Sequence, residues 1–118
     1  MERLNKLVAN SKLERVLLEI FKNNCEGYES LEDIVEGHYN GEFSTVDGYI
    51  SELTYYYQTR EIFAEHFEDI LDCLQGCCNE WCVSKPSDYD YNEMVWVTFE
   101  FLVTHWISDI EFMIEEEK

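Results

Sequence analysis

Four cysteines lie close enough together in the sequence to raise the question of a metal site. Cys73 and Cys77 are four residues apart, and Cys78 and Cys82 repeat this spacing. A structural zinc site usually draws its ligands from separate elements, so that they can surround the ion. On one continuous helix the two pairs would point to sides about 100° apart. We therefore expect these cysteines to pack as small apolar residues, without a metal or any other cofactor.

The histidines offer alternatives to this interpretation. A zinc site could combine one cysteine pair with His66 or His105, and the thiols could instead sense redox state. His38 falls on a third predicted helix, and the sequence contains no Glu-x-x-His pair of the kind that holds two iron ions in a bundle. We expect His66 and His105 to lie in the core or at its boundary.

Motifs typical of catalysis are missing from the sequence. It contains no Gly-rich phosphate loop, no nucleophile elbow and no His-Glu-x-x-His motif. Its 26 acidic residues are too numerous for one pair to be singled out as a general acid and base. We therefore expect that the protein is not an enzyme.

The most regularly spaced acidic residues form a pattern typical of one helix face. They are Glu61, Glu65, Glu68 and Asp72, at positions i, i+4, i+7 and i+11. Residues at i and i+4 lie about 6 Å apart along a helix axis, which is comparable to the separation of neighbouring phosphates on a nucleic-acid strand. The pattern predicts a ladder of carboxylates that could occupy a groove built for phosphates. A solvated helix face without a partner is the alternative.

A second candidate contact surface follows a predicted loop over residues 83–90. Aromatic and acidic side chains alternate there, at Asp88, Tyr89, Asp90, Tyr91 and Glu93. Tyrosine is enriched at recognition surfaces because it combines a large contact area with a polar tip. We expect this segment to support the helix face in binding. Ordinary packing and turn chemistry are the alternative.

Negative charge dominates the chain after residue 22. The formal net charge is -18, and 23 of the 26 carboxylates fall in residues 23–117, against Arg60 and Lys85. Most carboxylates therefore lack an intrachain cation, and their mutual repulsion must cost stability. The charge favours solubility or a cationic partner, and it disfavours binding to nucleic acid or to an anionic membrane. Further carboxylates that could contribute are Glu26, Glu29, Glu32, Asp33 and Glu36.

Helices must position these side chains, because one Pro and five Gly are few for an all-β chain. Start signals, in which a capping residue precedes an acidic residue by three positions, occur at Ser11, Ser30, Ser44 and Asp90. Thr59 is the predicted N-cap of the helix that carries the acidic ladder. The apolar side of that helix comprises Phe63, Phe67, Ile70, Leu71, Leu74, Cys77, Cys78 and Trp81.

The boundaries of the other predicted helices follow from the same signals. A short helix over residues 1–8 precedes one that ends near Asn23, and the next is closed by Gly37 and Gly41. A further helix carries apolar residues from Val46 to Tyr57. The sequence predicts an all-α fold, a single compact domain of four to five helices over residues 1–118.

The last predicted helix is long and apolar on most of its sides. Glu100, His105, Asp109 and Glu111 interrupt it, so it is typical of a buried helix in a soluble protein rather than a membrane span. We expect it to lie centrally among the other helices or at a subunit contact. Five cysteines, an odd number, and the lack of an apolar signal segment at the start predict a reducing, cytoplasmic location.

The central region of the chain, residues 48–70, carries a recognisable series of positions: Gly48, Ile50, Ser51, Leu53, Tyr55, Tyr56, Thr59, Ile62, Phe63, His66, Asp69 and Ile70. This series resembles an uncharacterised family of small acidic proteins encoded by bacteriophages and other mobile elements. A second match covers residues 95–100. Thr45 and Val46 stand where the family has a Cys-Gln pair, so no role for that cysteine is carried over. The resemblance implies a helical fold and a mobile-element origin, but no activity.

The charge and the resemblance together predict an inhibitor of host defence. Small acidic proteins of mobile elements often resemble inhibitors of defence nucleases. We expect an acidic mimic of nucleic acid that occupies the basic DNA- or RNA-binding channel of a CRISPR effector or a restriction enzyme. The alternative is an acidic structural or adaptor protein that forms a homodimer through its apolar C-terminal helix.

Overall fold

The computed structural model of the protein describes residues 2–40, 56–81 and 86–117. These ranges contain five α-helices and two short 3-10 helices, and no strand. The α-helices are α1 (Lys12–Cys25), α2 (Leu31–Tyr39), α3 (Tyr56–Glu65), α4 (Phe67–Trp81) and α5 (Tyr91–Glu116). The 3-10 helices span Glu2–Lys6 and Pro86–Asp88. The predicted all-α fold with a long C-terminal helix is confirmed.

Side-chain caps begin three of these helices, as the sequence predicts. In each case the side-chain oxygen of the capping residue accepts a hydrogen bond from the backbone N–H three residues later, which satisfies an otherwise unpaired donor. The pairs are Ser11 with Glu14 (3.2 Å), Ser30 with Asp33 (3.1 Å) and Asp90 with Glu93 (2.9 Å). The start predicted at Ser44 lies outside the described residues.

One predicted helix boundary is wrong. Thr59 is not an N-cap, because α3 already includes Tyr56 and the Thr59 side chain is fully buried within the helix. Tertiary packing therefore overrides the local signal at Thr59. Helix α2 ends at Tyr39 with Asn40 as its C-cap, between the two glycines predicted to mark its end, Gly37 and Gly41.

The predicted helix that carries the acidic ladder is interrupted at His66, between α3 and α4. The His66 N–H donates to the Ile62 carbonyl and the His66 carbonyl accepts from the Ile70 N–H, each at 2.9 Å. Residues 59–75 contain no Pro or Gly, the usual causes of a helix break. The His66 side chain is 8% exposed. The backbone N–H and carbonyl of His66 both keep helical partners, and neither Pro nor Gly accounts for the break.

Helix α5 forms the centre of the described fold and contacts each of the other four α-helices. Its fully or almost fully buried side chains are Val95, Thr98, Phe99, Leu102, Val103, Trp106, Ile107 and Ile110. The Trp106 ring stacks on Phe21 of α1 with centroids 5.5 Å apart, an arrangement worth about 0.5–1.5 kcal/mol beyond the buried area. The predicted central position of this helix is confirmed. No helix in the described ranges is long and apolar enough to span a membrane.

Candidate functional site

The four carboxylates of the predicted ladder are all exposed to solvent: Glu61, Glu65, Glu68 and Asp72. Glu65 lies 3.9 Å from the buried His66 imidazole. Within the described ranges the other three carboxylates make no ion pair, and the Lys and Arg pairs found there are Arg3 with Glu117 and Lys22 with Glu19. The ladder is therefore a surface of unneutralised negative charge.

The break at His66 divides the ladder into two pairs. Glu61 and Glu65 lie on α3, and Glu68 and Asp72 lie on α4. The expected axial spacing of about 6 Å applies within each pair, because each spans four residues of one helix. The prediction of one continuous ladder on a single helix is therefore wrong. The four carboxylates form two pairs on consecutive helices.

Phe67, predicted to lie on the apolar side of this helix, is also affected by the break. It is 44% exposed and packs edge-on against Phe63, with ring centroids 5.2 Å apart. Ile70 and Leu74 are fully buried, as predicted. Phe67 borders a small pocket together with Glu65 and Glu68, one carboxylate from each pair.

The structure connects the second predicted contact segment, residues 88–93, to α3. The Tyr91 ring lies 5.6 Å from the Phe63 ring, and the Arg60 guanidinium carbon lies 5.8 Å from the centre of the Tyr91 ring. This cation–π geometry holds the start of α5 against α3. Tyr91 is therefore in part a packing residue. Asp88, Asp90 and Glu93 are exposed, and Tyr89 is partly exposed.

The acidic residues around α2 are exposed as well: Glu26, Glu29, Glu32, Asp33 and Glu36. The backbone N–H of Asp33 is bonded to Ser30, but its carboxylate faces solvent. These five residues add negative charge around α2, and none of the described contacts connects them to the ladder.

A feature that sequence reasoning missed is a cleft of about 550 Å³ between the start of α1, α4 and α5. Four carboxylates line it, from Glu14, Asp69, Asp72 and Asp109. Its buried apolar side chains are Phe101, Leu102 and Trp106. We call this feature the acidic cleft. The carboxylates come from three distant stretches of sequence, so no local pattern could reveal it.

Asp72 belongs both to the ladder and to the acidic cleft. The carboxylate pair on α4 therefore extends the ladder towards the cleft. The pair on α3 is associated instead with the segment at residues 88–93, through the contacts of Tyr91. The contacts of Tyr91 thus place the start of α5 beside α3, and Asp72 connects the α4 pair with the acidic cleft.

The described thiols are poorly suited to redox chemistry. Burial raises the pKa of Cys25 to about 12. Burial, with the added charge of Glu14, Asp69 and Asp72, raises the pKa of Cys73 to about 11. Both thiols are therefore protonated at neutral pH, and a protonated thiol is a poor nucleophile. The side chains of Cys77, Cys78 and Cys82 lie outside the described ones.

The three histidines lie in different environments. His66 is buried, as predicted. The same prediction is wrong for His105, which is exposed and packs edge-on against Phe101 at 4.7 Å between ring centroids. Burial lowers the pKa of His38, and the nearby charge of Glu111 partly opposes that shift. Among the side chains that the structure describes, no group of three or more His, Cys, Asp or Glu residues could hold a metal ion.

Comparison with known proteins identifies a family without an assigned activity. The model of the family described as "Domain of unknown function (DUF7222)" matches residues 10–112. No curated protein and no solved structure matches the chain. The resemblance to an uncharacterised family is thus confirmed, while the phage or mobile-element origin stays a prediction. Because the match covers most of the sequence, the chain belongs to the DUF7222 family.

Proposed function

We propose that this protein is a non-enzymatic inhibitor of a host defence system, of the anti-CRISPR or antirestriction type. It would act in the cytoplasm of the host cell as an acidic mimic of nucleic acid. Its partner would be the basic DNA- or RNA-binding channel of a CRISPR effector or a restriction enzyme. The observation that carries the proposal is the exposed, unneutralised carboxylate surface of α3 and α4.

The electrostatics of the chain favour an external cation over internal ion pairing. Residues 23–117 contain 23 carboxylates and only two Lys or Arg residues. One of the two, Arg60, lies over the ring of Tyr91. A field of this size steers a basic partner towards the protein and raises the association rate. The same field repels nucleic acid itself.

Charge alone would attract many basic proteins, so the choice of partner needs shorter-range contacts. Aromatic side chains at the centre of an interface commonly supply them. The exposed ring of Phe67 lies beside one carboxylate of each pair, and Tyr89 is partly exposed beside Asp88 and Asp90. These aromatic residues are the best candidates for partner selection.

The alternative of an adaptor that dimerises through its C-terminal helix has less support. Helix α5 already packs against every other described α-helix of its own chain, so its apolar surface is largely used. Phe112, near the end of α5, is 66% exposed. A single exposed ring is a normal surface feature and does not by itself indicate an interface.

The proposal is tested by measuring whether the purified protein displaces nucleic acid from a panel of CRISPR effectors and restriction enzymes. We expect displacement from at least one of them at low ionic strength, and weaker binding as salt rises. Replacing Glu61, Glu65 and Glu68 by Gln and Asp72 by Asn should weaken that binding about thirtyfold, if each carboxylate contributes about 0.5 kcal/mol.

A matched control replaces Glu26, Glu29, Glu32 and Glu36 by Gln. This variant has the same net charge as the ladder variant, but the changes lie around α2. We expect it to retain most of the affinity. Equal losses in the two variants would show that net charge acts without the ladder. Failure to displace nucleic acid from any member of the panel at low salt would reject mimicry.

A further inference from the structure

The acidic cleft has the form of a binding site and not of a flat charged surface. Its volume of about 550 Å³ lies within the range of roughly 300–1,000 Å³ that is typical of small-molecule sites. Three separate parts of the chain line it: residues 8–14, residues 69–73 and residues 101–109. Packing of α1 and α4 on α5 therefore preforms the cleft.

The carboxylates of the cleft come from all three of these parts. Glu14 comes from α1, Asp69 and Asp72 from α4, and Asp109 from α5. Glu14, Asp69 and Asp72 are close enough to Cys73 for each of their charges to raise the pKa of that thiol. The cleft therefore concentrates negative potential at one place. No Lys or Arg is among its described lining residues, and His105 is the one basic side chain among them.

Three of these carboxylates are available to a ligand. Glu14 already accepts a hydrogen bond from the backbone N–H of Asn10 at 2.8 Å. The side chains of Asp69, Asp72 and Asp109 make no hydrogen bond or ion pair with the described residues. A cation in the cleft would therefore gain carboxylate partners without displacing an internal contact.

The apolar lining of the cleft sets the chemistry of that cation. The apolar part of its lining consists of the exposed side chain of Val8 and the largely buried side chains of Phe101, Leu102 and Trp106. A fully hydrated metal ion gains nothing from such a lining, whereas the methylene chain of an organic cation can lie on it while the charged end stays among the carboxylates. The combination fits an amphipathic cation.

We propose that the acidic cleft binds an organic cation that carries a guanidinium or ammonium group on an aliphatic chain. The methylene groups lie on Leu102 and Trp106, and the charged group lies between Asp69 on α4 and Asp109 on α5. Such a group occurs in a free polyamine and in an arginine or lysine side chain of a protein partner. The proposal does not depend on nucleic-acid mimicry, because it concerns a preformed cavity and shares only Asp72 with the ladder.

The test titrates the intact protein with two probes, spermidine and N-acetyl-arginine amide, at about 150 mM salt to screen diffuse attraction. Binding is followed by calorimetry and by the NMR signals of Trp106, which lines the cleft. We expect saturable binding of one cation per protein and a shift of the Trp106 signals. N-acetyl-citrulline amide, which has a similar shape without charge, should not bind.

Two double variants locate the bound cation. Replacing Asp69 and Asp109 by Asn should weaken binding about a hundredfold, or about tenfold for each charged hydrogen-bonding partner removed. Replacing Glu32 and Glu36 by Gln removes the same charge on α2 and should change the affinity little. Thermal unfolding of each variant checks that its fold is intact. Asp109→Arg, at an exposed position, offers a second variant that should block the cleft with its own cation.

The outcomes separate the sources of the cation and also separate this proposal from the previous one. Tighter binding of spermidine supports a free polyamine, and tighter binding of the arginine derivative supports a partner side chain. The proposal is overturned if the citrulline derivative binds equally well, if the Trp106 signals do not move, or if the two double variants lose affinity equally. Replacing Glu61 and Glu65 by Gln should leave cation binding intact, whether or not those residues serve mimicry.

Discussion

Cys25 shows at the scale of one residue how burial removes the reactivity of a thiol. Its side chain is fully buried at the end of α1. Because a thiolate loses its hydration in such a place, burial raises the pKa from 9.0 to about 12. Cys73, which is only partly buried, has its pKa raised to about 11. The environments of both residues favour packing over the redox role that the sequence left open.

The raised pKa of Cys25 predicts that this thiol is alkylated slowly in the folded protein. At about pH 8, the raised pKa lowers the thiolate fraction of Cys25 about a thousandfold relative to the unfolded chain. The smaller increase at Cys73 lowers its thiolate fraction about a hundredfold. Iodoacetamide labelling with mass-spectrometric mapping should therefore be fastest for the urea-unfolded chain, slower for Cys73 in the folded protein and slowest for Cys25 in the folded protein. Labelling of folded Cys25 near the unfolded rate would contradict its burial.

The same shift has a defined sign for stability. The raised pKa means that the folded protein keeps the Cys25 proton after the unfolded chain has lost it. This contribution to stability is complete below about pH 9 and is lost as pH rises towards about 12. Cys25 therefore gives the fold no dependence on pH in the neutral range.

At the scale of elements, the contact between α4 and α5 leaves room for a stabilising substitution. Gly76 lies inside α4, where a glycine is less favourable than alanine because it loses more backbone freedom on folding. A β-carbon added there would lie 3.7 and 3.8 Å from two ring atoms of Phe101, which are ordinary van der Waals distances. The neighbouring helix therefore tolerates one methyl group at this position.

Gly76→Ala should raise the free energy of unfolding by about 0.5–1 kcal/mol, as judged from urea denaturation. The control is Gly76→Leu, whose longer side chain must displace the Phe101 ring and should lower stability. If Gly76→Ala is itself destabilising, the packing of α4 on α5 must be closer than the structure shows.

The break at His66 belongs to the same scale. It assigns the carboxylates of the predicted ladder to two helices, and the ring of Phe67 is partly exposed beside one carboxylate of each pair. The resulting surface combines two charged pairs with an aromatic side chain. For partner binding this arrangement offers both long-range attraction and a short-range contact, whereas a straight ladder would offer charge alone.

At the scale of the whole molecule, like-charge repulsion opposes folding. The net charge of -18 is spread over a fold whose Cα radius of gyration is 13.9 Å, so many carboxylates lie within a Debye length of one another at low salt. The exposed pairs Arg3–Glu117 and Lys22–Glu19 offset little of this repulsion. Added salt screens this repulsion and should therefore stabilise the protein. It would instead destabilise a fold that depends on surface ion pairs.

We expect the thermal midpoint to rise when NaCl is increased from about 20 mM to about 300 mM, with a gain in stability of about 1 kcal/mol or more. Circular dichroism measures this directly. The variant with Gln at positions 61, 65 and 68 and Asn at position 72 should be more stable at low salt and less responsive to added salt. A midpoint that falls with salt would mean that attractive pairs outweigh repulsion.

Local chemistry in the sequence determined much of this molecule. The helix starts at Ser11, Ser30 and Asp90 were predictable, because a cap and its amide partner lie three residues apart. The central position of α5 followed from its apolar composition, and the lack of cations after residue 22 followed from counting. Each of these properties depends on neighbouring residues or on composition, so none requires knowledge of the packing.

Tertiary structure alone decided the break at His66, the interior position of Thr59 and the existence of the acidic cleft. The position of Thr59 depends on which side chains the core buries, and this can override a local helix signal. The cleft depends on contacts between residues as far apart in sequence as Glu14 and Asp109. The sequence specified the charges and helices of this protein, and packing of α1 and α4 on α5 gathered four of those charges around one cavity.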